Sequence, residues 1–168
     1  KEWVETIVVA TILALAIRTF IVQPFKIPTG SMKQTLIEQD RILVNRFIFG
    51  LRIPFSTIRI FKFYQPKRGD VIVFNYPEDT KRAFIKRLIA KEDDIVEIKD
   101  GKIYINSEEF IHPAIQNFYY YNRGDYGLIN QKISVPKNTY YVLGDNSSSS
   151  RDSRYWGFID AGMITGKP

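Results

Sequence analysis

The chain contains no cysteine and only one histidine in 168 residues. The first absence removes disulfides, thiol nucleophiles and thiolate metal sites, and fits either redox compartment. The second removes any histidine-rich metal centre and any mechanism that needs two imidazoles. His112, in "FIHPA", precedes a proline and reads as a structural or exposed residue in an extended or turn segment. The chain has no internal repeat and no low-complexity tract, and after its first apolar run there is no small-residue cleavage pattern of the kind that ends a secretory signal peptide.

What is present favours a folded β domain. The hydrophobic fraction is 45%, and 12 Phe and 10 Tyr accompany many Ile and Val, a composition suited to strands and unsuited to disorder. The length accommodates one domain with a real core, or one domain with a small insertion. A net charge of +6 allows an anionic partner, nucleic acid or an acidic lipid surface, but the 24 basic and 18 acidic residues are interspersed. "KRGD", "PEDTKR" and "KEDD" therefore read as solvated turns.

From Val4 to Val22 the sequence "VETIVVATILALAIRTFIV" has only Glu5 and Arg18 as formal charges. As a helix, these 19 positions would cover about 28 Å, close to the roughly 30 Å of a bilayer core. The run lacks the polar residue every third or fourth position that marks an amphipathic helix, so it is expected to be a membrane-spanning anchor, with a core helix as the alternative. Arg18 would snorkel toward the headgroups, and Gln23 and Pro24 would close the segment.

Beyond it, "DRILVNRF", "GDVIVFNY", "AFIKRLIA" and "TYYVLGDN" read as strands, with "PEDTKR" as the turn-rich connection between the second and third. "DIVEIKDGKIYINSEEF" is a hairpin, because Asp100-Gly101 supplies the positive φ angles of a two-residue primed turn. The aromatic and aliphatic stretch from Ile48 to Tyr64 is either core or a surface that touches lipid. The stretch from Glu108 to Val135 has low periodicity and resembles an insertion more than a catalytic element.

Candidate chemistry begins at "KIPTGSMKQTL", where Ser31 follows a glycine in a short turn just after the apolar run. Position 33 is Lys where the G-x-S-x-G elbow needs its second glycine, so this is not that elbow. With histidine nearly excluded by count, a base for Ser31 would have to be lysine. Lys33 sits in an exposed turn and would stay solvated. "SVPK", Ser134 to Lys137, matches S-x-x-K only as a string, since Pro136 opposes the helix this motif requires. Lys86 differs: period-2 alternation in "AFIKRLIA" places it with Phe84, Leu88 and Ala90 as the one charge on an apolar face. Burial there would lower its pKa, and roughly 3 kcal/mol of differential destabilisation brings a lysine from about 10.4 to near 8. The alternative is a strand lysine that snorkels at a sheet edge.

The serine-rich "YYVLGDNSSSSRDSRYWGF" lies between an apolar strand and an aromatic cluster, with Asp152 and Arg154 spaced for an ion pair. A hydroxyl from this loop could hold a lysine amine in position. Asn146-Ser147-Ser148 also spells a glycosylation acceptor, a pattern of low specificity.

Together these stretches resemble the bacterial type I signal peptidases, membrane-anchored Ser/Lys endopeptidases that remove signal peptides from exported preproteins. "IPTGSMKQTL", "DRILVNRF", "KRGDVIVFNYPEDTKRAFIKRLIA" and "LGDNSSSSRDSRYWGF" resemble the family's boxes, in the family's order. The resemblance implies a mainly β, signal-peptidase or repressor-protease-like fold with an N-terminal transmembrane helix and a small β insertion. Its divisions would be an anchor at 1–24, a catalytic domain at 25–98 and 139–168, and a variable insertion at 99–138. It implies Ser31 as nucleophile and Lys86 as general base, with the Thr29 hydroxyl and the Ser31 N–H as the oxyanion hole. Ser150 would orient the lysine, and Asp145, Asp152 and Arg154 would support the site. No cofactor, metal or nucleic acid is implied. The partners would be preprotein signal peptides and the lipid bilayer, at the outer face of the bacterial cytoplasmic membrane.

Two departures from the family pattern stand out. Gln34 replaces a usual proline, which puts the rigidity of the serine turn in question. Ser147 replaces a frequent arginine, so a salt bridge expected there must be absent. Two other readings are a self-cleaving repressor-type Ser/Lys protease and a basic β module that binds single-stranded nucleic acid through its aromatics.

Overall fold

The computed structural model describes residues 2–20, 22–52, 59–60 and 63–168. It opens with helix α1 (Glu2–Phe20), whose first turn carries Glu2 and Glu5, the favoured sign at a helix N-terminus. The side chains from position 2 to 15 are exposed, among them Trp3, Ile7, Ile12 and Leu15.

The expectation of a membrane-spanning anchor from Val4 to Val22 is not met: among the described residues no helix is long and apolar enough to cross a membrane. Val22 instead opens strand β1 (Val22–Lys26), which pairs antiparallel with β2 (Arg41–Asn45). The β-ladder, not a helix end, takes up Gln23 and Pro24; proline is tolerated because the pair is only two strands wide. Within the Ile48 to Tyr64 stretch, β3 (Leu51–Arg52) pairs with β4 (Arg59–Ile60), while residues 53–58 and 61–62 lie outside the described residues. Phe49 is buried and Phe63 exposed, so the described part of this stretch has both core and surface character.

The central sheet is built on β5 (Val71–Tyr76) and β6 (Asp79–Lys91). The segment read as a turn-rich connection is mostly strand, since β6 begins at Asp79 and only a tight turn precedes it. Next come β7 (Ile95–Lys99), β8 (Lys102–Ile105) and β9 (Glu108–Glu109). Asp100 and Gly101 have φ of 50° and 76°, as the primed turn requires. A second such turn, not anticipated, joins β8 to β9 through Asn106 and Ser107, with φ of 53° and 72°.

After β10 (Ile133–Ser134), β11 (Thr139–Leu143) returns beside β6. A short helix α2 (Ser153–Trp156), β12 (Ile159–Asp160) and β13 (Ile164–Gly166) finish the chain. The sheet orders are β12-β11-β6-β5-β13 and β10-β7-β8-β9. Ile89, Ala90, Tyr141 and Leu143 of the first sheet pack against Val96, Ile98, Ile103 and Ile105 of the second. A further cluster of Ile27, Met32, Val44, Val73 and Ile85 fastens the serine turn to the central sheet. Met32 is 1% exposed, and burying such a side chain stabilises by about 1.5–3 kcal/mol. The residue after Ser31 is thus the anchor of its turn.

Candidate active site

Gly30–Met32 form a single 3-10 turn that follows the extended Thr29. The turn is stitched to the segment after β11: Asn146 N–H donates to the Ser31 carbonyl at 3.0 Å, and Asn146 Nδ2 to the Gly30 carbonyl at 3.0 Å. Thr35 donates to Asp145, and Lys33 N–H closes back on Gly30. These bonds answer the question raised by Gln34. The turn is held by its hydrogen bonds to the neighbouring loop, and Gln34 itself is exposed.

Lys86 reaches this turn from the middle of the central sheet, where it lies opposite Ile72. Its Nζ is 2.5 Å from Ser31 Oγ, and its charge sits 5.6 Å from the centroid of the Phe84 ring. Both residues are buried, Lys86 to 3% exposure and Ser31 to 7%. Burial drives the lysine pKa down to about 8, against the opposing pull of the Asp152 and Asp145 carboxylates; Arg154 adds a little to the lowering. On the other side Thr29 Oγ1 donates to Ser31 Oγ at 3.4 Å. Thr29, Ser31 and Lys86 border one cavity of about 230 Å³, with Ile27, Met32, Ile85 and Ala83 as its apolar walls.

Two buried ion pairs stand behind it. Arg87 grips Asp145 through two nitrogens at 2.8 and 2.6 Å and also donates to the Gly69 carbonyl at 2.6 Å. Arg154, 0% exposed, holds both oxygens of Asp152 at 2.8 Å, and its remaining donors reach the carbonyls of Tyr121, Ser147 and Ser150. Asp152 in turn accepts the Gly144 N–H at 3.0 Å and caps α2 through Arg154 N–H.

Ser150 Oγ is buried without a hydrogen-bond partner, so it is not joined to Lys86 in this structure. It packs against Gly144, which also abuts the Ser31 carbonyl. A methyl group at Gly144 would overlap both neighbours. Gly144→Ala is therefore expected to displace the Ser31 turn and cost about 1–3 kcal/mol of folding stability through overpacking; parent-like stability in urea unfolding would contradict that close approach.

Other residues singled out from the sequence lie elsewhere. Lys33 is exposed, Lys137 pairs weakly with Asp93 at 3.4 Å on the surface, and Ser134 is exposed in β10. His112 is half-buried with its ring against Gly69, and its Nδ1 accepts the Ala114 N–H at 3.2 Å. Among the described residues no group of three or more metal-binding side chains gathers. Ser147 carries no ion pair. Its hydroxyl instead accepts from Tyr121 N–H at 2.9 Å and from Arg154 at 2.7 Å.

Sequence reasoning missed Arg87, Thr35 and Asn146. The only signal for Arg87 was a second charge inside the apolar "IKRLIA", and nothing in the sequence named its partner. It also missed the part played by Tyr121 to Tyr126. This segment grips the serine-rich loop through Tyr121, through Arg123 donating to the Ser148 carbonyl at 2.8 Å, and through Tyr126 N–H donating to the Arg154 carbonyl at 2.8 Å.

The family described as "Signal peptidase, peptidase S26" matches residues 1–168. The chain belongs to the peptidase S26 family. Among its S26 relatives, signal peptidase I of Pseudomonas fluorescens is 35% identical over 170 residues, which cover 86% of this chain and 58% of that protein. The corresponding protein of Pseudomonas aeruginosa is 34% identical and is likewise covered to 58%, so the chain spans a little over half the length of these two relatives. Probable signal peptidase I-2 of Synechocystis is 34% identical over 99% of this chain and 72% of its own length. The crystal structure of a signal peptidase I from Enterococcus faecalis V583 superposes with a TM-score of 0.53 at 30% identity, covering 62% of this chain and 97% of that one. The S26 fold is thus shared as well as the sequence.

Proposed function

We propose that the chain is a serine endopeptidase that removes signal peptides from preproteins by a Ser/Lys mechanism. The observation that carries this reading is the 2.5 Å approach of the Lys86 amine to the Ser31 hydroxyl on the wall of an apolar cavity. Neutral Lys86 accepts the Ser31 proton as Oγ attacks the scissile carbonyl, then returns it to the leaving amine. A water deacylates the enzyme with the same lysine as base. Thr29 and the Ser31 N–H stabilise the oxyanion, and the Ser150 hydroxyl, unpartnered here, steers the amine. Asp145, Asp152 and Arg154 fix the loop behind these groups. The catalytic part corresponds to 25–98 and 139–168, with 99–138 as the variable insertion.

The substrate in this reading is an extended peptide added to a strand edge, so that alternate side chains enter pockets. The cavity suits small residues, typically Ala, at the first and third positions before the cut. The exposed apolar side chains of α1 hold the enzyme against lipid at the outer face of the cytoplasmic membrane, where such a substrate is itself anchored.

A signal-sequence peptide incubated with the parent and with Ser31→Ala tests the whole reading: the parent cuts after the small-residue motif and the variant does not. Cleavage by both, or by neither, overturns it. Within it, Thr29→Val, which keeps the shape and loses the donor, is expected to lower kcat by about 10²–10³ with little change in KM, whereas Thr29→Ser keeps most activity. Parent-rate cleavage by Thr29→Val would remove Thr29 from the oxyanion hole.

A further inference from the structure

The cavity that holds Ser31 and Lys86 has a second cation on its lining, Arg151, which the chemistry above does not use. Unlike Lys86, this side chain is 64% exposed. Its nearest charged partner is Glu78, whose carboxylate oxygens lie 3.3 and 3.5 Å from one guanidinium nitrogen. The two ends are held differently. Glu78 follows the buried Tyr76, accepts a hydrogen bond from its hydroxyl, and so stays with the β5–β6 turn. Tyr76 stacks on Phe84 at 4.5 Å, and Phe84 is itself a wall of the cavity.

Among the described residues Arg151 has no comparable anchor, since its side-chain hydrogen bonds there are the two long ones to Glu78. An ion pair this exposed is worth little, and salt screens it. A carboxylate brought in by a ligand can replace Glu78 without loss, because the guanidinium keeps a partner and Glu78 returns to water. Arg82, another cation near the turn, acts electrostatically on Tyr76 but does not line the cavity.

We propose that Arg151 is a specificity residue that reads the charge of the peptide beside the scissile bond. It favours Asp or Glu at a flanking position and disfavours Lys or Arg, with Glu78 as its resting partner. The inference rests on the peptidase reading of the same site.

The test is a set of signal-sequence peptides that differ only in Asp, Asn or Lys at each position flanking the cut, assayed at low and high salt. For the parent, kcat/KM for Asp over Lys is expected to be about 5-fold at one flanking position in low salt, the ratio an exposed ion pair supports, and to shrink with added salt. Glu78→Gln enlarges the ratio by freeing Arg151. Arg151→Glu inverts it, and Arg82→Gln leaves it unchanged. The charge-swapped double variant Glu78→Lys/Arg151→Glu separates recognition from a merely structural strap, because it restores the ion pair yet should keep the inverted order. If the double variant regains the parent's order, or if Arg151→Glu never changes it, the proposal is wrong. If the parent cleaves none of the peptides, the peptidase reading falls and this inference falls with it.

Discussion

Lys86→Met is expected to abolish cleavage and, below pH 8, to make the protein more stable. In the proposed mechanism the substitution removes the proton acceptor for Ser31, and losses of a base of this kind reach on the order of 10⁴–10⁶ in kcat. Lys86→Arg should be equally inactive, because a guanidinium keeps its proton. If Lys86 is the base, its pKa of about 8 is expected to give the parent an ascending limb in kcat/KM near that pH, with activity falling about tenfold for each further unit of acidity.

The stability effect has the opposite sign to the activity effect. The folded state holds Lys86 at about 8 and the unfolded chain near its ordinary 10.5, so folding expels a proton between those values. Below pH 8 both states are protonated and the folded state bears the full cost of a buried ammonium, roughly 3 kcal/mol at about 1.4 kcal/mol per tenfold change in proton affinity. As pH rises from 8 toward 10.5 the cost fades. Urea unfolding of parent and Lys86→Met at pH 6 and pH 10 checks this: the variant should lead at the lower pH and the gap should close at the higher. A variant less stable than the parent at pH 6 would mean that the lysine is not buried as a charge. Lys33→Met and Lys137→Met should change neither the ascending limb nor this difference, since both side chains stand in solvent.

Arg154→Met should cost about 3–5 kcal/mol of folding stability, the usual penalty for leaving a buried charge without its partner. Asp152 would remain fully buried without a counter-charge, and the carbonyls of Tyr121, Ser147 and Ser150 would lose their shared donor. The loss is conformational as well, because Arg154 joins the serine-rich loop to the Tyr121–Tyr126 segment. A fall in Tm of roughly 10 °C is expected for a chain of this size, and stability within 1 kcal/mol of the parent would refute the assignment.

The companion variant Asp152→Asn reads the electrostatics. Asp152 raises the Lys86 pKa, so removing its charge should move the ascending limb to lower pH. A limb that moved upward would show that the carboxylate does not act on the lysine.

Several features were legible because they are local. The alternation in "AFIKRLIA" defines a face with Phe84 and Leu88 on either side of Lys86, while the burial that lowers its pKa, rather than a lysine snorkelling at an edge, was decided by the fold. Asp100-Gly101 encodes its turn because few residues tolerate two successive positive φ angles. The β-branched and aromatic runs marked the main strands. Only small slips arose there, such as β6 beginning at Asp79, where polar residues that read as a turn continue the ladder.

What the sequence could not determine is who pairs with whom. Backbone hydrogen bonds do not depend on side-chain identity, so nothing near Gln23 and Pro24 announced that they would lie against β2, or that Ile164–Gly166 would close the sheet beside β5. Ser31 and Lys86 are 55 residues apart, and their approach is created by the packing of Met32 and Ile27 on Val73 and Ile85. The same holds for Arg87 with Asp145 and for the docking of Tyr121 and Tyr126 on the serine-rich loop. A buried charge is tolerated only with its partner in place, and that partner is chosen by the tertiary fold. By itself the sequence determined the main strands, one turn and the apolar face around a lysine, and its family resemblance matched that lysine to Ser31 and set Asp145, Asp152 and Arg154 behind them; the tertiary structure decided the contact itself and that Arg87 is the partner of Asp145, because packing between distant segments is not encoded locally.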